Sequence, residues 1–434
     1  MAAGGLTRVS ADGGEPVEVM PIDPGRQETA LRFPKFLPDG KHYTFVSLPP
    51  RKGNHDVYLG TLGSPKRENL FGSAVAPAYA EPGYLILVRN GRLLAQRFDA
   101  KALKLIGEPV SLGEAPPPSG TVGAPAVSVS DNGILAHAGA GLPNTQFVWL
   151  DRAGKPQGTI ELPPGRYLNP SISPDDQRMI VSRQSAPSEL DLWMVDLSRA
   201  VATRFTFTSA PLTDRAVWSP DGKWVAFDSN RNGPQDIYRK LAGGAGDEEP
   251  LLVSAAPFKI LDQWSPDGRY LLFEQPDAVT GWDVWLLPVE GERKPTPILK
   301  SRFNEGASQI SPDGHWLSYS SDESGRSEVY VQSFPTPGSK YQVTTSGSLY
   351  SWWSKNGKEM LILGVDFTIL SVDVQTGASF KAGTPRMLFK LRQDALWMAA
   401  TSDLQRFIQV VPVGAAAPNS ITVVINWTAG LEKK

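Results

Sequence analysis

Apolar and polar residues alternate with period two in short runs along the chain. Ala216-Val-Trp218 and Lys223-Trp-Val-Ala-Phe227 are typical, rich in the β-branched and aromatic residues that suit a pleated, half-buried surface. No stretch carries a helical period, so the pattern predicts strands throughout. Between the runs stands a recurring phrase, Ser219-Pro-Asp-Gly222, Ser265-Pro-Asp-Gly268 and Ser311-Pro-Asp-Gly314. Looser copies are Leu37-Pro-Asp-Gly40, Glu81-Pro-Gly83, Ser130-Asp-Asn-Gly133, Ser173-Pro-Asp-Asp176, Ser354-Lys-Asn-Gly357 and Ser402-Asp-Leu404. Proline fixes φ, aspartate bonds its own backbone two residues on, and glycine takes the left-handed position, so the phrase predicts a hairpin between strands A and B of a repeat.

The aspartate of the phrase, or its equivalent, falls at 39, 82, 131, 175, 221, 267, 313, 356 and 403, a period near 45. That is the length of one four-stranded propeller blade. A second landmark follows 15 to 17 residues later: Asp56-Val-Tyr58, Asp191-Leu-Trp193, Asp236-Ile-Tyr238, Asp283-Val-Trp285 and Glu328-Val-Tyr330. We read it as strand C, its aromatic packed between blades and its acid bonding loop amides. Runs such as Pro250–Val253 and Lys340–Thr344 supply strand D. The expectation is an all-β protein, a single propeller of eight to nine blades spanning 1–434, with units near 31–72, 73–114, 121–163, 165–208, 211–254, 258–300, 304–345, 348–390 and 395–427. Leu6–Ser10 and Pro16–Met20 look like a C and D pair without A and B. Two readings stay open: this half blade closes the ring with 395–427, or its missing strands lie upstream in a longer parent. Eight blades with a loose end, and two smaller propellers in tandem, stay open as well.

The Ser-Pro-Asp-Gly turn followed by an Asp-Ile-Tyr strand resembles the TolB-like propeller repeat over residues 31 to about 411. It is unlike the WD repeat, since the one Trp-Asp pair is Trp282-Asp283 and Gly314-His315 sits in the wrong turn. Arg32–Lys41, Ser321–Phe334 and Ile421–Trp427 look like the propeller region that follows the kinase domain and membrane helix of bacterial receptor-type serine/threonine kinases. That resemblance implies a sensor or scaffold module with a kinase domain upstream in a longer parent, and an extracytoplasmic location for such a fragment. A complete chain would be cytoplasmic.

Composition narrows the chemistry. Hydrophobic residues at 41% and twelve tryptophans provide enough apolar surface for a large core, which excludes disorder as the main state. Lys plus Arg 43 against Asp plus Glu 45 leaves a net charge of −2, which draws the chain to neither nucleic acid nor anionic lipid. With no cysteine, disulfides, thiolate catalysis and thiolate metal sites are excluded. Apolar runs such as Ile421–Trp427 fall far short of the roughly 18 residues of a membrane helix, and the amino end lacks the pattern of a signal peptide.

No His-Arg-Asp loop, Asp-Phe-Gly motif, phosphate-binding glycine loop or Gly-x-Ser-x-Gly elbow occurs. The histidines His42, His55, His137 and His315 stand in separate repeats, with nothing nearby to complete a triad. No cofactor is expected. Asp228, Asn230 and Asn232, with Asp236 further on, copy the first half of a calcium loop, but Arg239 stands where a bidentate glutamate belongs, so this is a weak calcium candidate and a polar loop explains it better. Trp352-Trp353 is the densest aromatic pair, and inter-blade packing accounts for it more simply than nucleic-acid stacking.

The leading expectation is a non-catalytic module that binds a protein, peptide or small ligand on the face carrying the B–C loops: Ser47–His55, Arg183–Glu189, Ser229–Gln235, Gln275–Trp282 and Ser320–Arg326. The candidate contacts are Arg51, Arg183, Arg231, Asp322 and Arg326, because arginine is an abundant polar hot-spot residue. The competing expectation is a hydrolase or lyase whose acids and bases converge on the channel from separate blades, to be recognised as several Asp, His, Arg or Tyr side chains in one concave pocket with shifted ionisation.

Overall fold

A computed structural model describes residues 4–431 apart from 27, 29, 49–54, 90, 116–126, 131–132, 139–142, 187–188, 208–212, 257, 278 and 414–420. Its regular structure is β-strand, with 3-10 turns at Pro24–Arg26 and Trp427–Gly430. The strands form eight sheets of four or more strands in antiparallel order, together with one three-stranded and one two-stranded sheet. The all-β, multi-blade propeller expected from the repeat is what the chain adopts.

The Ser-Pro-Asp-Gly phrase closes each hairpin by the chemistry its residues dictate. In Ser219–Gly222 the serine hydroxyl donates to Asp221 Oδ1 (2.6 Å) and accepts from the Trp224 amide (2.9 Å), while Asp221 Oδ1 accepts from the Lys223 amide (3.1 Å). Gly222 has φ 68°, where a side chain would be strained. Ser265, Ser311 and Ser354 repeat the pattern. In Thr401–Leu404 threonine takes the serine's place.

Where the hairpins go departs from the single ring. The chain divides into two compact units, one of Met1–Leu142 with Ala417–Lys434 and one of Pro143–Ala416. In the second, the innermost (A) strands are Tyr167–Ile172, Thr213–Trp218, Ile260–Trp264, Glu305–Ile310, Ser348–Trp353 and Trp397–Ala400. The sixth sheet is composite: Trp397–Ala400 and Arg406–Pro412 from the end of the unit pair with Thr145–Asp151 and Pro156–Ile160 from its beginning, in the register Val148↔Gln409 and Leu150↔Phe407. The unit expected at 395–427 therefore closes with 145–160 and not with the half blade 1–22, whose strands Leu6–Arg8 and Val17–Met20 pair with each other. The unit expected at 121–163 is divided likewise. Its first strands, Val127–Val129 and Leu135–Ala138, take Ile421–Val424 as a third strand. The turn phrase sets spacing but carries no information about the partner of a closing strand, so register had to decide.

Six apolar cores, one between each pair of successive sheets, establish the ring of residues 143–416. Phe147, Ile408 and Val410 of the composite sheet meet Tyr167, Met179 and Val181 of the first, and Leu150 and Phe407 meet Leu361, Ile369 and Phe389 of the fifth. The others join first to second, second to third, third to fourth and fourth to fifth. Alternate residues of one strand serve two cores, since Val225 and Phe227 face one neighbour and Ala226 the other. The C-strand aromatics stack on B-strand partners in their own sheet, Phe227 on Tyr238 at 6.1 Å and Tyr319 on Tyr330 at 5.9 Å, while filling these cores. Two acids of that landmark accept from loop amides as expected, Asp236 from Ser254 (3.2 Å) and Glu328 from Gly347 (2.9 Å), whereas Asp191 pairs with Arg204 and Asp283 accepts from the Thr280 hydroxyl.

The other unit packs its four sheets in sequence through three cores, centred on Phe45, Leu85 and Ile86, with Trp427 in the last.

One turn of the second unit lacks its glycine for a reason. Asp176 occupies the left-handed position at φ 58° and accepts from the amide (3.0 Å) and hydroxyl (2.9 Å) of Ser402, tying the first sheet's turn to that of the closing sheet. Asp176→Ala removes both bonds and keeps the strain, so the transition reported by tryptophan fluorescence in urea should lose about 1–3 kcal/mol. Asp176→Gly, which relieves the strain, should lose less; an alanine variant as stable as the parent contradicts the clamp.

Candidate functional site

The six A strands of residues 143–416 enclose a cavity of about 560 Å3, lined from every sheet of the ring. In five of them the pairing with strand B slips by one or more residues ahead of the turn, as between Leu168 and Ser171, Leu261 and Gln263, or Gly306 and Gln309. Such bulges re-aim side chains and release amides from the ladder. Asn169 (φ 47°) and Ala307 (φ 51°) sit at two of them in the left-handed region.

The released backbone groups are taken up by the preceding sheet. Ser182, Asp228, Glu274 and Ser320, spaced 46 residues apart on the B strands, reach across. Ser182 Oγ donates to the Asp214 carbonyl (2.9 Å) and Ser320 Oγ to that of Leu349 (3.0 Å), while Glu274 Oε1 accepts from the Ala307 amide (2.7 Å). Asp228 accepts from Leu261 and from Gln235 Nε2 (2.8 Å). These residues fasten blade to blade and set the bulges' depth.

The A-strand side chains give the cavity two unlike walls. Tyr350, Trp352 and Trp397 form one: Tyr350 lies 4.8 Å from Trp352 and 5.9 Å, edge-on, from Trp397. Asn169, Arg215, Asp262, Gln263 and Gln309 form the other. The Arg215 guanidinium rests 5.8 Å above the Trp397 ring and, among the described residues, has no hydrogen-bond partner. Burial would lower its pKa, but the fields of Glu274 and Asp262 outweigh burial and raise it. Asp262 Oδ2 accepts from Ser308 N (3.0 Å) and Oγ (2.6 Å), so consecutive residues 307 and 308 hold the Glu274 and Asp262 carboxyls side by side. Burial, then the charge of Glu274, pushes Asp262 well above the usual carboxylate range. Burial and the charge of Asp262 raise the Tyr350 hydroxyl, which accepts from Gln309 Nε2 (3.1 Å), to about 12.

The residues singled out in the sequence lie elsewhere. Arg51 falls outside the described residues. Arg183 is sandwiched between Tyr167 (5.3 Å) and Trp193 (4.5 Å). Arg231 lies 4.2 Å over Tyr238 and is ion-paired with Glu248, its side chain only 8% exposed, which removes it from the surface. Asp322 accepts from Asn304 N (3.0 Å) and Nδ2 (2.7 Å). Arg326 is exposed but paired with Glu328 at 2.8 Å. None of these four lines the cavity. The calcium candidate does not converge either. Ser229, not Asp228, stands opposite Asp236 across the ladder, so the two acids project to opposite faces, and the buried ammonium of Lys259 already holds Asp236 at 2.8 Å. Asn232 Nδ2 donates to the Tyr238 hydroxyl (3.1 Å), and Asn230 is likewise engaged. Among the described residues no three His, Asp or Glu side chains are placed to hold a metal ion, and no helix is long and apolar enough to cross a membrane.

The cavity residues were missed because they form no linear motif. Superposing the repeats on their turns exposes them: two to four residues ahead of the turn serine or threonine stand Asn169, Arg215, Asp262, Gln263, Gln309, Tyr350, Trp352 and Trp397.

No family model matches the sequence. By structure the chain is similar to a TolB protein of Agrobacterium tumefaciens, at 16% identity over 63% of this chain and 100% of that one, with a TM-score of 0.48. TolB from Acinetobacter baumannii matches at 15% identity over 72% of this chain and 82% of that one, TM-score 0.43. A prolyl endopeptidase matches at 12% over 92% of this chain and 50% of that one, TM-score 0.38. The propeller assignment rests on the strand order and the closed ring described above.

Asp228 supplies a pH test. Burial, then the charge of Asp214, pushes its carboxyl up to about 8. The folded state therefore binds a proton that the unfolded chain releases near pH 4, so this residue's contribution to stability is greatest below pH 4 and declines as pH rises toward 8. Asp228→Asn should flatten that decline and melt above the parent at pH 8, read by thermal unfolding from pH 5 to 9. An unchanged slope contradicts the assignment.

Proposed function

We propose that residues 143–416 form a non-catalytic, TolB-like binding module whose ligand, a protein segment, a peptide or a small molecule, enters the axial cavity. One observation carries this reading: Arg215, an arginine without a hydrogen-bond partner among the described residues, projects into a cavity shared by all six sheets of the ring. A guanidinium presents five donors in a rigid fork, and leaving them unmatched in a narrow site favours a ligand that accepts from them. Exposed B–C loop residues such as Arg326 and Asp322 would then form an outer surface for a larger partner. The likeness of Arg32–Lys41, Ser321–Phe334 and Ile421–Trp427 to receptor-kinase propellers supports the narrower reading of a sensor or scaffold attached to a serine/threonine kinase.

A second reading, a hydrolase or lyase, is favoured by Asp262, since a buried carboxyl held above its usual range beside an arginine and a tyrosine is a means of acid–base catalysis. Against it, Asp262 is only 6% exposed, and its carboxyl and that of Glu274 already accept from the bulge at 307–308, which fits a structural fastening.

The two are separated by ligand screening with thermal unfolding as the readout. Compounds that raise the melting temperature of the full chain should lose that effect, by tenfold or more in affinity, in Arg215→Ala and keep it in Arg326→Ala. Retention of binding in Arg215→Ala moves the site out of the cavity; turnover of a bound compound that Asp262→Asn abolishes establishes the enzyme.

A further inference from the structure

The cavity's two walls carry information about the ligand beyond its existence. On one side three aromatic side chains, Tyr350, Trp352 and Trp397, are half-buried with part of their surface toward the cavity. Opposite them stand planar polar groups with capacity to spare. Among the described residues, Arg215 makes no hydrogen bond, Asn169 uses only Nδ2, toward Asp214, and Gln309 uses only Nε2, toward Tyr350. Asn169 Oδ1 and Gln309 Oε1 are left as acceptors beside Arg215 as a donor.

Charge and backbone availability select among ligands. Arg215 lies in the fields of Glu274, Asp262 and Asp214 and offsets them, so the site offers no surplus positive charge for an anion. An ammonium ligand would have to compete with this resident cation, and desolvating an unpaired charge is costly. An extended peptide would seek open ladder amides on the A strands. Those of Leu261, Ala307, Ser308 and Ile310 are already taken, by Asp228, Glu274, Asp262 and Gln263. What remains is a neutral ligand with an apolar face for the aromatic wall and a rim of hydroxyls for the amides and the guanidinium.

We propose that this cavity binds a saccharide: a pyranose ring stacked on the Tyr350–Trp352–Trp397 wall, its hydroxyls bonded to Asn169, Arg215 and Gln309. The proposal rests on the cavity being the ligand site and adds the ligand's chemical class. A volume of about 560 Å3 admits one or two sugar rings.

The test uses the full chain and a fixed panel of cellotriose, maltotriose, N,N′-diacetylchitobiose, glucose and the tripeptides Ala-Ala-Ala and Lys-Ala-Glu, titrated with tryptophan-fluorescence and calorimetric readout. At least one saccharide should bind and perturb tryptophan emission. Its affinity should fall about tenfold or more in Trp352→Ala, given the worth of a stacked ring. It should fall by a similar factor in Asn169→Ala; the melting curves of both variants establish that they are folded. Tripeptide binding that Arg215→Ala abolishes, without saccharide binding, overturns the sugar and leaves the cavity reading standing. Saccharide binding indifferent to Trp352→Ala and Asn169→Ala in folded protein also overturns the proposal, because the sugar then sits elsewhere. No binding by any panel member overturns it too and counts against the cavity reading itself.

Discussion

The pairing of Thr145–Asp151 with Arg406–Pro412 is the constraint on which the rest of this structure depends. Two segments more than 250 residues apart in sequence complete one sheet, and that sheet supplies two of the six cores that hold the ring. Radial repetition leaves an antiparallel protein with only short edges, but the ends of the chain must still be joined. Antiparallel ladder bonds do this here, reinforced at the turns by the Asp176–Ser402 clamp. The cost is a contact of very long sequence separation, bringing the loop-closure entropy of a whole unit.

Closure also makes the cavity. Six inner strands surround one volume only when the sixth sheet is in place, and their bulges determine what faces it. A bulge frees backbone groups; the preceding sheet's B strand, at positions 46 residues apart, then supplies a serine to donate to a carbonyl or an acid to accept from an amide. Where that residue is an acid, as at Asp228 and Glu274, carboxyl charge is brought into the ring: burial and the charge of Asp214 push Asp228 up, and burial and the charge of Glu274 push Asp262 up. Structural fastening and site electrostatics are in this way one arrangement, with Arg215 offsetting charge that the fastening introduced.

Much of this was legible in the sequence. The turns at Ser219, Ser265 and Ser311, the A and B strands around them and the C-strand aromatics follow from local rules of φ, hydrogen bonding and period, which require no knowledge of distant partners. Ring closure was not legible, because the strands at 145–151 and 406–412 look like any other members of the series. The site was legible only in part. Arg183 and Arg231 are arginines in B–C loops or at their edges, but aromatic neighbours absorb them. Arg215 and Trp397 sit in A strands where an alternating pattern suggests core, and for Arg215 a bulge in the strand alters that alternation. The calcium-like spacing at 228–236 failed because alternation on the ladder sends its two acids to opposite faces.

A cysteine-free chain permits a direct test of closure. Val148 and Gln409 are partners across the composite sheet, and Cα atoms so placed lie about 4.5–5.5 Å apart, within reach of a disulfide. The account predicts that Val148→Cys combined with Gln409→Cys, mildly oxidised as a folded monomer, forms an intrachain bond between these two positions, identified by peptide mapping. Two thiols that stay free in the folded, oxidised protein would contradict it.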